Sequence, residues 1–172
     1  MDTLPKRKHP RLKEYDYSQN GCYYVTICTD KRQHLLGEIT VEEIAHDVCR
    51  GGALLRPLGI MVEEEIENLQ NRYAVTIDKY VIMPNHIHIL FCVEQNRDER
   101  AEQSPAPTLG DMVCALKSIT TKRANLMDKT PGRKLWQRSY YDHVIRSEAD
   151  YLRIWQYIDE NPAKWAEDEY YS

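Results

Sequence analysis

The chain has 172 residues, 42% hydrophobic and 29% charged, with seven Gly and eight Pro, which fits one hydrophobic core and a single domain over 1–172. No run approaches the ~18 apolar residues of a membrane span, and the opening MDTLPKRKHPRLK lacks the apolar stretch of a secretory signal, so a cytoplasmic protein without a membrane partner is expected. The formal charge of −4 argues against a polyanion partner, but it conceals a segregation. Residues 1–13 carry five Lys/Arg and one acid, and 109–146 carry eight against three. Residues 38–70 hold eight acids against two bases, and 158–172 five against one. Solvated faces and a polyanion groove both fit this pattern.

After the basic arm, 1–13, GCYYVTICT (Gly21–Thr29) alternates with period two: Tyr23, Val25 and Ile27 on one face, Cys22, Tyr24, Thr26 and Cys28 on the other. It reads as a strand. Helices are expected over 41–50 and 59–70, the second from the stripe Val62, Ile66, Leu69 and Tyr73, with Glu63, Glu64, Glu65 and Glu67 toward solvent. The joining GGALLRPLG is a turn or short insertion. AVTIDKYVIM and HIHILFCV, parted by Pro84 and Asn85, read as a β-hairpin. Residues 94–108 are polar and proline-interrupted, a flexible internal linker.

Thr108 and Asp111 form a capping box for a helix over 109–127 with the core stripe Leu109, Met112, Val113, Leu116 and Ile119. A short strand spans 142–145, and Ser147 with Asp150 caps a last helix to about Glu160, its buried stripe Tyr151, Ile154, Trp155 and Ile158. The order predicts an α+β fold, an antiparallel ferredoxin-like sheet with helices on one face and an added C-terminal helix. The five cysteines (Cys22, Cys28, Cys49, Cys92, Cys114) are odd in number and lack a CxxC pair, so reduced, partly buried thiols are expected.

Chemistry centres on His86-Ile87-His88. In a strand, i and i+2 share a face, so both imidazoles can converge on one ion while Ile87, Ile89 and Phe91 face the core; a hydrogen-bonded structural pair is the plainer alternative. On the last helix, at 100° per residue, Tyr157 falls at the flank of the buried stripe, within reach of a substrate. Asn161, one turn on, offers a carbonyl donor to a divalent ion. A snorkelling tyrosine and a helix-terminal Asn are the plainer alternatives.

MPNHIHIL, WQRSYYDHVIRSEADY and YIDENPAK, with the opening RLKEYDYSQNGCYYVTICT, together resemble the REP-associated tyrosine transposases, single-tyrosine members of the HUH endonuclease superfamily. The resemblance covers most of the chain outside 94–107 and the last few residues. It implies that His86 and His88 are metal ligands, that Asn161 is the third and that Tyr157 is the nucleophile. It also implies a ferredoxin-like fold, Mg2+ or Mn2+, no nucleotide cofactor, and cleavage and transfer of single-stranded DNA beside a hairpin through a 5′-phosphotyrosine. Lys117, Lys122, Arg123, Arg138 and Arg146 of the basic tract are then the candidate DNA contacts, with Trp136, Tyr140 and Tyr141 available for stacking. The rival ligand is His143 and the rival nucleophile Tyr151. A metal phosphodiesterase using water, and a domesticated hairpin-binding regulator that no longer cuts, remain alternative readings. Monomer and homodimer both remain open.

Overall fold

The computed structural model describes residues 15–17, 19–39, 54–93 and 107–165. The basic arm, the helix expected over 41–50, Cys49 and linker residues 94–106 lie outside the described residues. The elements in chain order are β1 (Gly21–Cys28), a 3-10 turn (Asp30–Arg32), β2 (Gly37–Glu38), β3 (Leu54–Leu55), α1 (Pro57–Arg72), β4 (Val75–Met83), β5 (His86–Val93), α2 (Leu109–Met127), β6 (Tyr141–Val144) and α3 (Glu148–Glu160). The main sheet has the order β4-β5-β1-β6 with every neighbouring pair antiparallel. Strands β1 and β4 therefore run parallel with β5 inserted between them, the split β-α-β arrangement of the expected ferredoxin-like fold.

Period two assigns the faces. Tyr23, Val25 and Ile27 of β1 join Ile87, Ile89 and Phe91 of β5 in the core cluster that contains the buried apolar side chains of α1 and α2. The alternate residues Tyr24, Val81, Met83 and Leu90 pack with Ile154, Ile158 and Trp165 in a second cluster. The sheet thus carries α1 and α2 on one face and α3 on the other, and the side chains of His86 and His88 share the α3 face.

Helix α1 begins at Pro57, two residues earlier than the periodicity suggests, because proline fixes φ and loses no hydrogen bond in a helix's first turn. A Cβ on Gly59 would stand 2.1 Å from the carbonyl oxygen of Leu36, so only glycine permits this approach. The contact matters to the hairpin, since the Leu36 amide donates to Pro84 O at 3.0 Å. Helix α2 carries the expected capping box of Thr108 and Asp111. Its buried stripe runs through Thr120 rather than Ile119, because the Thr120 hydroxyl donates to Leu116 O and accepts from Trp136 Nε1 at 2.8 Å.

Three expectations are corrected. Glu65 is 4% exposed instead of facing solvent, because Arg123 Nη1 and Arg72 Nη2 meet its carboxylate at 2.7 and 2.9 Å and satisfy it where α1 packs on α2. Trp155 is 38% exposed rather than part of the α3 stripe, and its ring lies under Lys79 Nζ at 3.9 Å. Cys22 and Cys92 are disulfide-bonded, not reduced thiols. The β1–β5 register sets them directly opposite, with Cα atoms 4.1 Å apart, a proximity that a separation of 70 residues conceals.

Burial raises the Glu65 pKa, but the Arg123 and Arg72 hydrogen bonds outweigh it and hold the carboxyl below its ordinary value. A depressed carboxylate stabilises the fold above its unfolded pKa and loses that contribution as pH falls through the folded one. Glu65→Gln should therefore cost about 1–3 kcal/mol at neutral pH. In urea titrations across pH, the gap from wild type should hold down to about pH 5 and close in more acid solution.

Candidate active site

The hairpin turn delivers the first histidine. Asn85 is fully buried, its carbonyl oxygen accepting from the Thr29 amide at 2.9 Å and the Thr29 hydroxyl at 3.0 Å. Its side-chain Oδ1 lies 2.8 Å from His86 Nδ1. An amide oxygen can only accept, so Nδ1 carries the proton and the Nε2 of His86 presents its lone pair.

His88 is oriented from the neighbouring strand. Thr26 is its partner in the β1–β5 register, and Thr26 Oγ1 and the Tyr24 hydroxyl lie 2.9 and 2.7 Å from His88 Nδ1. Both hydroxyls can donate or accept, so they suit either tautomer. The two rings then meet Nε2 to Nε2 at 3.0 Å, with both side chains fully buried. Burial, augmented by the charge of Arg32, pushes the His86 pKa down to about 3. Burial and then His86 itself hold His88 well below its ordinary value. Both rings are therefore neutral at physiological pH, the form that ligates metal.

The fit to an ion is geometric. The two Nε2 atoms converge to 3.0 Å, so His86 and His88 would hold a divalent ion between them. Without an ion, one Nε2–H donates to the other. To hold an ion through Nε2, His88 would carry its proton on Nδ1, where the Tyr24 and Thr26 hydroxyls can accept its hydrogen bond.

Helix α3 covers this pair. The Tyr157 ring lies 5.4 Å from the His88 ring and 6.2 Å from the Tyr24 ring, and the residue is 41% exposed. Past the helix end, the Trp165 ring lies 5.9 Å from that of His86. Asn161, one helical turn past Tyr157, is 3% exposed. It keeps αR geometry (φ −56, ψ −44) although it precedes Pro162, a position that usually favours extended backbone. The chain continues into a turn in which Lys164 N donates to Glu160 O at 3.2 Å.

The rivals are engaged elsewhere. His143 Nε2 meets Asp150 Oδ2 at 2.7 Å, and the Tyr151 hydroxyl donates to Asp78 at 2.9 Å. Cys22, Cys92 and Asp78 also cluster, but the two sulfurs are bonded to each other, leaving no thiolate to ligate an ion. Among the basic candidates, Lys117 and Arg138 line an open cleft, Arg123 is held by Glu64 and Glu65, and Lys122 and Arg146 are exposed. Trp136 is buried and Tyr140 packs against the core, whereas Tyr141 is 48% exposed beside Tyr24.

Sequence reasoning missed Tyr24, Thr26, Asn85 and Trp165 around the histidines. The alternation of β1 placed Tyr24 and Thr26 on the face away from the main core, but only the strand register sets them against His88.

Residues 18–161 match the family described as IS200-like transposases, and the chain belongs to that family. An uncharacterized protein of Haemophilus influenzae is 35% identical over 182 aligned residues, covering 96% of this chain and 93% of that one. The fold is similar to that of a REP-associated tyrosine transposase solved bound to a REP hairpin, with a TM-score of 0.59 and 20% identity over 90% of this chain and 74% of that one. The transposase resemblance and the α+β fold expected from the motifs thus both stand.

If the hydroxyls on His88 Nδ1 orient a ligand, Tyr24→Phe combined with Thr26→Val should weaken Mn2+ binding about 10–100-fold. Electron paramagnetic resonance titration of free Mn2+ reads this, and an unchanged affinity would separate those contacts from metal binding.

Proposed function

We propose that the chain is a metal-dependent single-stranded DNA endonuclease and strand transferase, with Tyr157 as nucleophile and His86, His88 and Asn161 as metal ligands. The observation that carries this reading is the Tyr157 ring set beside the buried His86–His88 pair on a helix flank open to solvent. A phenol has a pKa near 10 and is a weak nucleophile, so it needs a polarised phosphate held in line. A bound Mg2+ or Mn2+ supplies that polarisation.

The chain's own residues supply position. Ile154 and Ile158 anchor α3 to the sheet and fix the azimuth of Tyr157 between them. Tyr157 Oη bonds to phosphorus as the bond from phosphorus to the 3′ oxygen breaks. The phenol proton leaves to solvent, and the departing oxygen takes one up as a 3′-hydroxyl. The product is a 5′-phosphotyrosine that conserves the phosphodiester bond energy, so attack by another 3′-hydroxyl reverses the step on a new strand without a nucleotide cofactor.

The hairpin held by the structurally similar transposase supports a DNA hairpin with single-stranded flanks as substrate. Lys117, Lys122, Arg123, Arg138 and Arg146 remain candidate DNA contacts, with Arg123 the least available because two glutamates hold it.

The test is incubation of the full chain with Mn2+ and end-labelled single-stranded hairpin oligonucleotides, resolved on a denaturing gel. A protein-linked band should form with wild type and be lost at least 1,000-fold in Tyr157→Phe, a loss on the order of 4 kcal/mol in barrier. Binding should stay close to wild type. Cleavage that persists without a linked band would transfer the nucleophile to water, and binding without cleavage under either metal would make the chain a regulator.

A further inference from the structure

A cleft of ≈ 770 Å³ lies between α2 and the segment leading into β6. Lys117, Thr121 and Asn125 line it from successive turns of α2, and Arg133–Arg138 line it from the other side with Asp30 and Lys31. It opens on the α2 side of the sheet, whereas the histidines lie on the α3 side, so it is not part of the candidate active site.

Its charge is unusual for this protein. The chain is acidic overall, and many of its cations outside the cleft are paired: Arg56 with Glu38, Arg72 with Glu65, Lys79 with Asp159, Arg153 with Asp150. In the cleft, Arg133 pairs with Asp128, and Lys117 donates to the carbonyls of Gln137 and Arg138 at 2.7 and 3.0 Å. Lys31, Lys134 and Arg138 form no ion pair among the described residues, and all three side chains are exposed. Three cations without an ion pair among the described residues thus line one concave surface with the half-buried Lys117, outnumbering the cleft's one unpaired carboxylate, Asp30.

The backbone is strained to put one of them there. Lys31 and Arg32 are consecutive non-glycine residues at φ 54 and φ 55, the left-handed region, at a cost of about 1–2 kcal/mol each. Hydrogen bonds from the Gln33 amide to Asp30 O and from the Thr29 hydroxyl, shared between Gln33 O and Asn85 O, hold the turn. Asp30 N donates to Leu135 O, and Gln137 N to Cys28 O, at 2.8 and 2.9 Å. The same stretch reaches the histidines, because Thr29 also bonds to Asn85 O. The cleft wall and the hairpin turn are therefore separated by a single strand, roughly 10 Å across.

We infer that this cleft is a second nucleic-acid site, a phosphate track in which Lys31, Lys134 and Arg138 hold the backbone of a DNA strand that passes around the end of the sheet toward the histidines. The inference rests on the DNA-processing reading above and adds to it where the strand is anchored. The track reads phosphates, not bases, since its aromatic wall residue Trp136 is buried and offers no stacking face.

The experiment is fluorescence anisotropy of a labelled oligodeoxythymidylate titrated with the full chain at several salt concentrations. Each lost single-strand phosphate contact lowers the slope of log K against log salt by about 0.7. Lys31→Ala with Lys134→Ala should reduce the slope by about 1 to 2, and Lys31→Arg with Lys134→Arg should restore it, with matching thermal melts showing both variants folded. A wild-type slope in the alanine variant would overturn the track while leaving the DNA-processing reading in place. Failure of the wild type to bind the oligonucleotide even at low salt would overturn both.

Discussion

Two neutral imidazoles facing each other Nε2 to Nε2 at 3.0 Å, both fully buried, form the constraint around which the rest of the structure is arranged. Buried polar groups are tolerated only when hydrogen-bonded or ligating. The outer Nδ1 atoms are accordingly held by Asn85 on one side and by Tyr24 and Thr26 on the other. These contacts require the β1–β5 register and a hairpin turn whose asparagine is clamped to Thr29. The pair also needs a cover. Helix α3 provides it, with Tyr157 against one ring and Trp165, just past the helix, against the other. A helix that packs to bury the histidines thereby brings a tyrosine beside them.

Period-two alternation in GCYYVTICT and HIHILFCV divided each strand into two faces and put His86 and His88 on one of them, and the capping residues Thr108 and Ser147 marked the starts of α2 and α3. The candidate site was visible as two fragments, an HIH strand and a YIDENP helix end, because each is local in sequence. Apart from Asn85, which adjoins His86 in the chain, what escaped was non-local. Cys22 and Cys92 come together only through strand register. Glu65 is buried because an arginine 58 residues away meets it. Trp155 fits the helical stripe of α3, yet Lys79 of β4 covers it at the sheet margin. Helical periodicity reports the average direction of a side chain, not the partner that waits for it.

Net charge is blind to pairing for the same reason. Three of the eight acids of the 38–70 segment pair with arginines: Glu64 and Glu65 with Arg123, Glu65 with Arg72, Glu38 with Arg56. Their charges cancel at short range, within the Debye length, so a polyanion approaching the far side of α2 meets the cations that remain unpaired. An overall charge of −4 is thus compatible with a locally basic surface.

The central claim is that the tyrosine beside the histidine pair, and not its neighbour one and a half turns earlier, takes the phosphate. Tryptic digestion separates the two, because Tyr157 is the one tyrosine of Ile154–Lys164 and Tyr151 that of Ser147–Arg153. Mass spectrometry of the covalent product after nuclease trimming should place the residual nucleotide mass on Ile154–Lys164. Nucleotide mass on Ser147–Arg153, or on any other tyrosine peptide, would contradict the account.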